Sequence, residues 1–149
     1  MKGLLNVTEI NNLLSSQALG RLGCAIGNHP YIVPITYTYD GQYIYGQSNE
    51  GQKLDIMRLN PNVCFEVDQM LSMGTWQCVV ILGKFEELQQ QEAQRVREIL
   101  YHLVYSLSTN DIVHGHEHAT NTEMDDSYRK KTVMFRIRVD KVSGRYERQ

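Results

Sequence analysis

The sequence predicts an α+β fold, mainly β, in which an antiparallel barrel carries flanking helices. About six strand-like segments follow one another at short spacing, and one long amphipathic helix is inserted before the last of them. No internal repeat or low-complexity linker divides the chain. Because a closed or partly closed barrel removes the exposed edges that such a sheet would carry, we expect this architecture.

Length and composition favour a single domain over residues 1–149. Fifteen basic and seventeen acidic side chains give a formal charge of −2, which argues against a general nucleic-acid binder. Cys24, Cys64 and Cys78 form no CxxC pair and lie in apolar runs, so we expect reduced core residues of a cytoplasmic protein. The aliphatic run Cys78–Leu82 is too short to span a bilayer, so no membrane partner is expected.

The chain begins with a predicted helix. Thr8 is a suitable N-cap with Glu9 in the first turn, and Gly20 is expected to end the helix. One face of this helix is apolar: Ile10, Leu13, Leu14 and Leu19. A strand over residues 21–27 and a turn at Asn28-His29-Pro30 follow.

A hairpin is the next predicted element. Residues 32–39 alternate as a strand, Asp40-Gly41 is a preferred two-residue turn, and residues 42–46 return. Pro34 cannot donate to a ladder, so we expect an edge, a bulge or a bound ligand at this point of the strand.

A polar turn then leads into a short helix, which residues 53–59 form and Asn60-Pro61 stops. A glycine-bearing turn before a helix start, with Lys53 on it, is a place where a phosphate can bind. The residues alone favour a second interpretation, because capping sequences are commoner than phosphate sites: Ser48 or Asn49 caps the helix and Lys53 is solvated.

Two strands are predicted after this helix. Residues 63–68 alternate, and residues 69–74 are expected to form a loop. Residues 76–87 form a long strand with Gly83 as a bulge or bend, and its apolar centre predicts burial on both faces.

The last third of the chain contains a long amphipathic helix over residues 89–107 and a final strand over residues 132–140. Between them, His114, His116 and His118 alternate, which in an extended segment offers nitrogen ligands to zinc, nickel or haem iron. No strand pattern flanks these histidines, so a polar loop with free imidazoles is the favoured interpretation.

An ordered set of motifs over nearly the whole chain resembles the FMN-binding split barrels of the pyridoxamine 5′-phosphate oxidase-like superfamily. The similarity is to its nitroimidazole-resistance and flavin-nucleotide-binding branch. The motifs are Gly20-Arg21-Leu22-Gly23, Val33-Pro34-Ile35, Tyr39-Asp40-Gly41, Gly51-Gln52-Lys53-Leu54, Asn60-Pro61-Asn62-Val63, Val79-Val80-Ile81-Leu82-Gly83, Phe135-Arg136-Ile137 and Ser143-Gly144-Arg145.

This resemblance implies a six-stranded split-barrel homodimer with FMN at the subunit interface. It places the phosphate near Ser48, Gly51, Gln52 and Lys53, and the isoalloxazine ring along the backbone of Val33, Pro34, Ile35 and Thr36. It assigns Trp76 and Cys78 to the side of the flavin that the partner subunit supplies. Gln47 stands where members of the nitroimidazole-resistance branch often have histidine.

The resemblance also implies an oxidoreductase that passes electrons from a nicotinamide donor to a small acceptor, nitroaromatic or pyridoxamine-phosphate-like. Gln47 cannot act as an acid or base near neutral pH, and no basic cluster for a substrate phosphate is evident, so no catalytic residue is assigned. A flavin supplies the redox chemistry itself. The alternative is a non-enzymatic protein that binds or stores a flavin, haem or a metal.

Overall fold

The computed structural model describes residues 1–109 and 132–149, which form eight strands and three helices. The strands are β1 (Lys2–Leu4), β2 (Leu19–Ile26), β3 (His29–Thr36), β4 (Thr38–Tyr39), β5 (Tyr43–Ser48), β6 (Asn62–Ser72), β7 (Thr75–Glu87) and β8 (Val133–Glu147). The helices are α1 (Val7–Ser16), α2 (Gln52–Leu59) and α3 (Gln90–Thr109).

All strands belong to one antiparallel sheet in the order β3-β2-β6-β7-β8-β5-β4, with β1 paired to the end of β8. The sheet curls until β3 lies close to β5, although these two strands share no ladder. A Cβ atom on Gly46 would lie 3.3 Å from Ile35 Cδ1, so the two strands meet inside the barrel. The predicted split barrel is confirmed, and the split lies between β3 and β5.

The barrel interior is filled by apolar side chains that alternate along the strands. Tyr37 and Phe65 pack edge to face with ring centroids 5.1 Å apart, and both side chains are fully buried. The Tyr37 hydroxyl donates a 2.6 Å hydrogen bond to the Leu14 carbonyl at the end of α1. Helix α1 therefore closes the barrel on this side with both apolar and polar contacts.

Helix α3 covers part of the outer face of the sheet. Its buried residues share a second apolar cluster with the sheet: Tyr45, Leu88, Ala93, Val96, Leu100 and Met134. Arg136 of β8 bonds Glu92 of α3 and Glu86 of β7, and its guanidinium stacks 4.0 Å from the Tyr43 ring centroid. This helix agrees with the predicted one over residues 89–107.

Three predicted boundaries near the start of the chain are wrong. The N-cap of α1 is Asn6 rather than Thr8, because Asn6 and Glu9 form a reciprocal capping box. The helix ends at Ser16, and Gly20 lies in β2, where a Cβ would stand 2.2 Å from Phe65 Cζ. The turn is at Gly27, in the left-handed region at φ 56°, and His29 and Pro30 already belong to β3.

The predicted loop over residues 69–74 is also wrong, because β6 continues to Ser72 and pairs with β7 there. The register shift between Leu82 and Gly83 against β8 confirms an irregularity at Gly83. The centre of β7 is buried on one face only, since Val80 and Leu82 are 38% and 49% exposed on the other. Cys64 is likewise exposed and not a core residue.

The sheet has two strands more than predicted, because β1 is only three residues long and the strand predicted over residues 32–39 is divided into β3 and the two-residue β4. Such short elements have too little alternation to be seen in a sequence. Within residues 1–109 and 132–149, no helix is long and apolar enough to cross a membrane.

Candidate functional site

The amino end of α2 lies at the mouth of the barrel and is open. The helix begins at Gln52, and its first backbone bond runs from Asp55 N to Gly51 O over 3.1 Å. A helix leaves its first N–H groups without intrahelical acceptors, and no side-chain hydrogen bond caps this one within the described part of the chain. These N–H groups and the positive end of the helix dipole can receive an anion.

Ser48 does not cap α2, contrary to one of the two interpretations of the sequence. Its side chain is buried at the end of β5, and its Oγ donates a 2.8 Å hydrogen bond to the Asn49 carbonyl. The hydroxyl thereby shapes the turn rather than the helix start.

Gly51 leaves the helix end open for a simple reason. Its backbone is extended, at φ 170° and ψ −169°, which any residue can adopt. A Cβ at this position would meet nothing closer than Asn49 O at 4.0 Å. The backbone therefore does not require glycine here, and the effect of Gly51 is to omit a side-chain acceptor at the N-cap.

Lys53 is half-buried, which contradicts the interpretation that its side chain is solvated. Burial lowers the pKa of its ammonium group, and the Cys24 thiol of β2 is the group whose charge opposes this change. Burial in turn raises the pKa of Cys24. No carboxylate of residues 1–109 or 132–149 forms an ion pair with Lys53. A desolvated cation without a counter-ion is costly, so an anion bound here would offset that cost.

Helix α2 is held against β2, and this packing places Lys53 beside Cys24. The Asn60 side-chain amide, at the end of α2, donates a 2.8 Å hydrogen bond to the Ala25 carbonyl of β2. The residues alone did not predict this neighbour of Lys53. Cys24 is an inward position of an alternating strand, but the packing of the helix onto that strand is a tertiary contact.

The predicted ring-binding segment, Val33 to Thr36, lies on β3, the edge strand of the sheet. The edge that Pro34 predicted is therefore confirmed. Val33 and Ile35 pack towards the core, while Pro34 and Thr36 lie opposite Arg21 and Leu19 on the outer face. Among the strands of the described residues, none pairs with the other side of the β3 backbone, which leaves groups that a ligand can bond.

The structure brings this segment towards the end of β5, where Gln47 and Ser48 precede the amino end of α2. Gln47 is half-buried and lies opposite Met134 of β8. The contact of Ile35 with Gly46 joins the two segments at the split of the barrel. Nine of the predicted site residues lie on the two segments that this contact joins, β3 and the stretch from Gln47 to Lys53: Val33, Pro34, Ile35, Thr36, Gln47, Ser48, Gly51, Gln52 and Lys53.

Within one chain, Trp76 and Cys78 lie on a different part of the sheet from these two segments. They lie on β7, and β2 and β6 stand between β7 and β3 in the sheet. The Trp76 indole donates a 3.1 Å hydrogen bond to Glu147. Burial, followed by the Glu66 carboxylate, raises the pKa of the Cys78 thiol.

The outer face of the sheet that α3 leaves uncovered has an apolar part. Ile32 and Leu82 are exposed on it, at 69% and 49%, and Cys64 and Gly23 lie between them. A groove of about 840 Å³ runs across these strands. Sequence analysis missed this face because it expected β7 to be buried on both sides, although the alternation of Val80 and Leu82 with Val79 and Ile81 contains the information.

His114, His116 and His118 lie outside the described residues, so their metal or haem role stays a prediction. Among residues 1–109 and 132–149, no group of three or more histidine, cysteine or acidic side chains could hold a metal ion.

Comparison with known proteins agrees with this architecture. Residues 6–146 match the sequence model of the family described as pyridoxamine 5′-phosphate oxidase. The chain belongs to the pyridoxamine 5′-phosphate oxidase family. A curated relative, the uncharacterized protein RA0666 of Rhizobium meliloti (strain 1021), is 40% identical over 80 residues, 54% of this chain and 53% of the relative. The chain is thus matched to about half the length of that relative.

Solved structures of the same fold cover almost all of this family member. An FAD-binding protein from Mesorhizobium loti is 28% identical with a TM-score of 0.72, covering 100% of this chain and 98% of that one. A candidate 5-nitroimidazole antibiotic resistance protein from Bacteroides thetaiotaomicron is 17% identical with a TM-score of 0.66, covering 98% and 87%. The family model confirms the predicted superfamily, and the likeness to the nitroimidazole resistance protein shows the fold alone.

Proposed function

We propose that this member of the pyridoxamine 5′-phosphate oxidase family binds a flavin nucleotide, with its phosphate at the amino end of α2. The observation that carries the proposal is the half-buried Lys53 ammonium, without a carboxylate partner in the described residues, beside a helix end that Gly51 leaves uncapped. A phosphate dianion matches both the charge of Lys53 and the N–H donors of the helix.

FMN is the cofactor that the sequence resemblance implies, and FAD is the alternative that the similarity to the Mesorhizobium loti protein supports. Both flavins carry a phosphate next to the ribityl chain, so the same cation and helix end suit either. In this proposal the ring lies at an opening between β3 and β5, bordered by Val33 to Thr36 and Gln47. The backbone of β3 and the Gln47 amide are the polar groups that could bond its edge.

A bound flavin supplies hydride and electron transfer. The proposed site residues, Val33 to Thr36 and Gln47 to Lys53, would bind the flavin, orient it and exclude water from it. None of these residues is suited to proton transfer near neutral pH. We infer an oxidoreductase that takes electrons from a nicotinamide donor and passes them to a small acceptor, nitroaromatic or pyridoxamine-phosphate-like. The absence of any disulfide from Cys24, Cys64 and Cys78 supports a reducing, cytoplasmic location.

We also propose that the uncovered face of the sheet forms a homodimer. Large exposed apolar patches are unusual on monomers, and the exposed Ile32 and Leu82 lie on this face with only Gly23 of β2 and Cys64 of β6 between them. A second copy on this face would bury it and bring Trp76 and Cys78 towards the partner's opening. Light scattering on the wild type should give the dimer mass. Leu82→Asp should give the monomer, whereas Leu59→Asp, exposed on α2, should stay dimeric.

The flavin proposal is tested by the visible spectrum of the purified protein and by fluorescence titration with FMN, FAD and riboflavin. Lys53→Gln should weaken FMN binding about tenfold to a hundredfold, because it removes one charge-assisted contact. It should leave riboflavin, which has no phosphate, unchanged. Lys2→Gln is the matched control, since Lys2 is an exposed lysine on β1. A colourless protein that takes up no flavin would falsify the proposal.

The enzyme and the carrier are separated by anaerobic mixing of the flavin-loaded protein with NADH and NADPH. Bleaching of the flavin absorbance followed by reoxidation with a nitroaromatic acceptor supports the oxidoreductase. Tight binding without reduction supports a flavin carrier. A Soret band that disappears when His114, His116 and His118 are replaced together supports haem binding instead.

A further inference from the structure

Arg58, near the end of α2, forms a three-residue network with two carboxylates. Its guanidinium binds Glu50 through two bonds of 2.6 and 2.9 Å, the geometry of a bidentate pair. Its Nε donates a 2.8 Å bond to Glu87 at the end of β7. Glu87 thereby fixes the guanidinium from the sheet side, and the guanidinium fixes Glu50.

Glu50 stands directly before Gly51 and is thus the carboxylate nearest in sequence to the open end of α2. A carboxylate close to a helix start ordinarily interacts favourably with the dipole of the helix. At α2 this does not happen, because Arg58 holds both Glu50 oxygens. The same pairing lowers the pKa of Glu50, so the carboxylate stays ionised and bound to Arg58.

We propose that Arg58 is a positioning residue for the phosphate site: it withholds Glu50 from the amino end of α2 and neutralises its charge. The inference rests on the proposed function, since the ligand that needs the helix end is the flavin phosphate. Without Arg58, Glu50 competes with the phosphate for the same N–H groups and repels it.

The network differs from an ordinary surface ion pair in what it should control. Arg58 and Glu50 are both exposed, and exposed pairs contribute little to folding stability. Removal of Arg58 should therefore change the melting temperature little. Its effect should appear instead in the binding of a ligand that carries a phosphate, through the carboxylate left without a partner.

Four variants of the full chain test this assignment: Arg58→Met, Glu50→Gln, the double variant, and Arg148→Met as a control. Arg148 is an exposed arginine whose ion pair with Glu9 lies on α1, outside the site. Each is titrated with FMN and riboflavin by fluorescence quenching, and its melting temperature is recorded. The ratio of the FMN and riboflavin dissociation constants isolates the contribution of the phosphate.

We expect Arg58→Met to weaken FMN binding on the order of tenfold, with riboflavin unchanged, because one uncompensated charge then faces the phosphate. Glu50→Gln loses the same ion pair but leaves no charge, so it should stay close to the wild type. The double variant should recover the Glu50→Gln value, and Arg148→Met should match the wild type.

Two results would overturn the assignment while the flavin site stands. One is equal weakening by Arg58→Met and Glu50→Gln, which would mean that the network only orders the turn. The other is equal loss of FMN and riboflavin affinity in Arg58→Met, which would mean a general structural defect. Failure of the wild type itself to bind FMN would overturn both this inference and the proposed function.

Discussion

The amino ends of α1 and α2 solve the same problem in opposite ways. At α1, the Asn6 side chain accepts a 2.9 Å bond from the Glu9 amide, and Glu9 accepts a 3.1 Å bond from the Asn6 amide. At α2, Gly51 offers no acceptor, and the nearby Glu50 carboxylate is bound to Arg58. One helix end is closed by its own sequence, and the other is left open.

This difference fits the proposed phosphate site, because α2 lacks a stabilising cap at the place where we propose that the ligand binds. A capped helix end contributes about 1 kcal/mol to the free energy of folding. Helix α1 gains this stabilisation from the capping box of Asn6 and Glu9. An uncapped end gives up part of that stabilisation but keeps its N–H donors available. At α2 the open end coincides with a half-buried ammonium, Lys53, so both features point to an anion.

The largest effect should come from closing α2 with Gly51→Asp. The extended backbone and the open space around Gly51 accept a side chain, and the new carboxylate would cap the helix and repel phosphate. FMN binding should weaken about a hundredfold, while stability rises by a few tenths of a kcal/mol. Fluorescence titration and chemical unfolding measure the two changes. Gly51→Ala, which adds a Cβ without an acceptor, should leave FMN affinity nearly unchanged; an equal loss there would contradict the capping argument.

A smaller effect is expected from pH at the open end. Burial lowers the pKa of Lys53 in the free protein, and a bound phosphate favours the charged ammonium. FMN affinity should therefore be highest when the pH is below the lowered pKa of Lys53, and it should fall about tenfold as the pH rises through that pKa. Titrations at increasing alkaline pH test this. Lys53→Arg should remove the dependence, because arginine stays charged; a persistent dependence would place the titrating group elsewhere.

The smallest effect concerns the closed end. Asn6→Ala breaks the capping box of α1 and should cost about 1 kcal/mol of folding free energy. Flavin affinity should not change, because α1 lies outside the opening between β3 and β5. Urea unfolding and FMN titration together test the comparison. A loss of FMN affinity in this variant would show that the two helix ends are coupled.

Local patterns predicted much of this fold. The long strand from Trp76 and the helix from Gln89 are confirmed, because alternation and helical spacing are properties of neighbouring residues. The predicted hairpin is confirmed only in part: the chain reverses after Tyr39, but only the short β4 pairs with β5, and Asp40 bonds Tyr43 across the turn. The errors have tertiary causes. Gly20 resembles a helix stop but is selected by the ring of Phe65, and Met70 and Ser72 extend β6 because β7 pairs with them.

The candidate site divides in the same way. Its residues, from Val33 to Thr36 and from Gln47 to Lys53, were predicted from the order of the family motifs along the chain. That these segments meet at the split of the barrel depends on the curl of the sheet, which brings Ile35 to Gly46. The roles of Trp76 and Cys78 depend on a second chain and stay predictions.

By itself, the sequence determined most of the elements and the family, and it named Lys53 as the candidate residue of the proposed anion site, because these follow from local spacing and residue type. Only the tertiary structure decided that Ser48 points away from the helix, that Lys53 is buried beside Cys24, and that Arg58 binds Glu50. The physical reason is that capping, desolvation and ion pairing depend on which groups meet in space. The sequence allowed a closed or an open start for α2, and packing left it open.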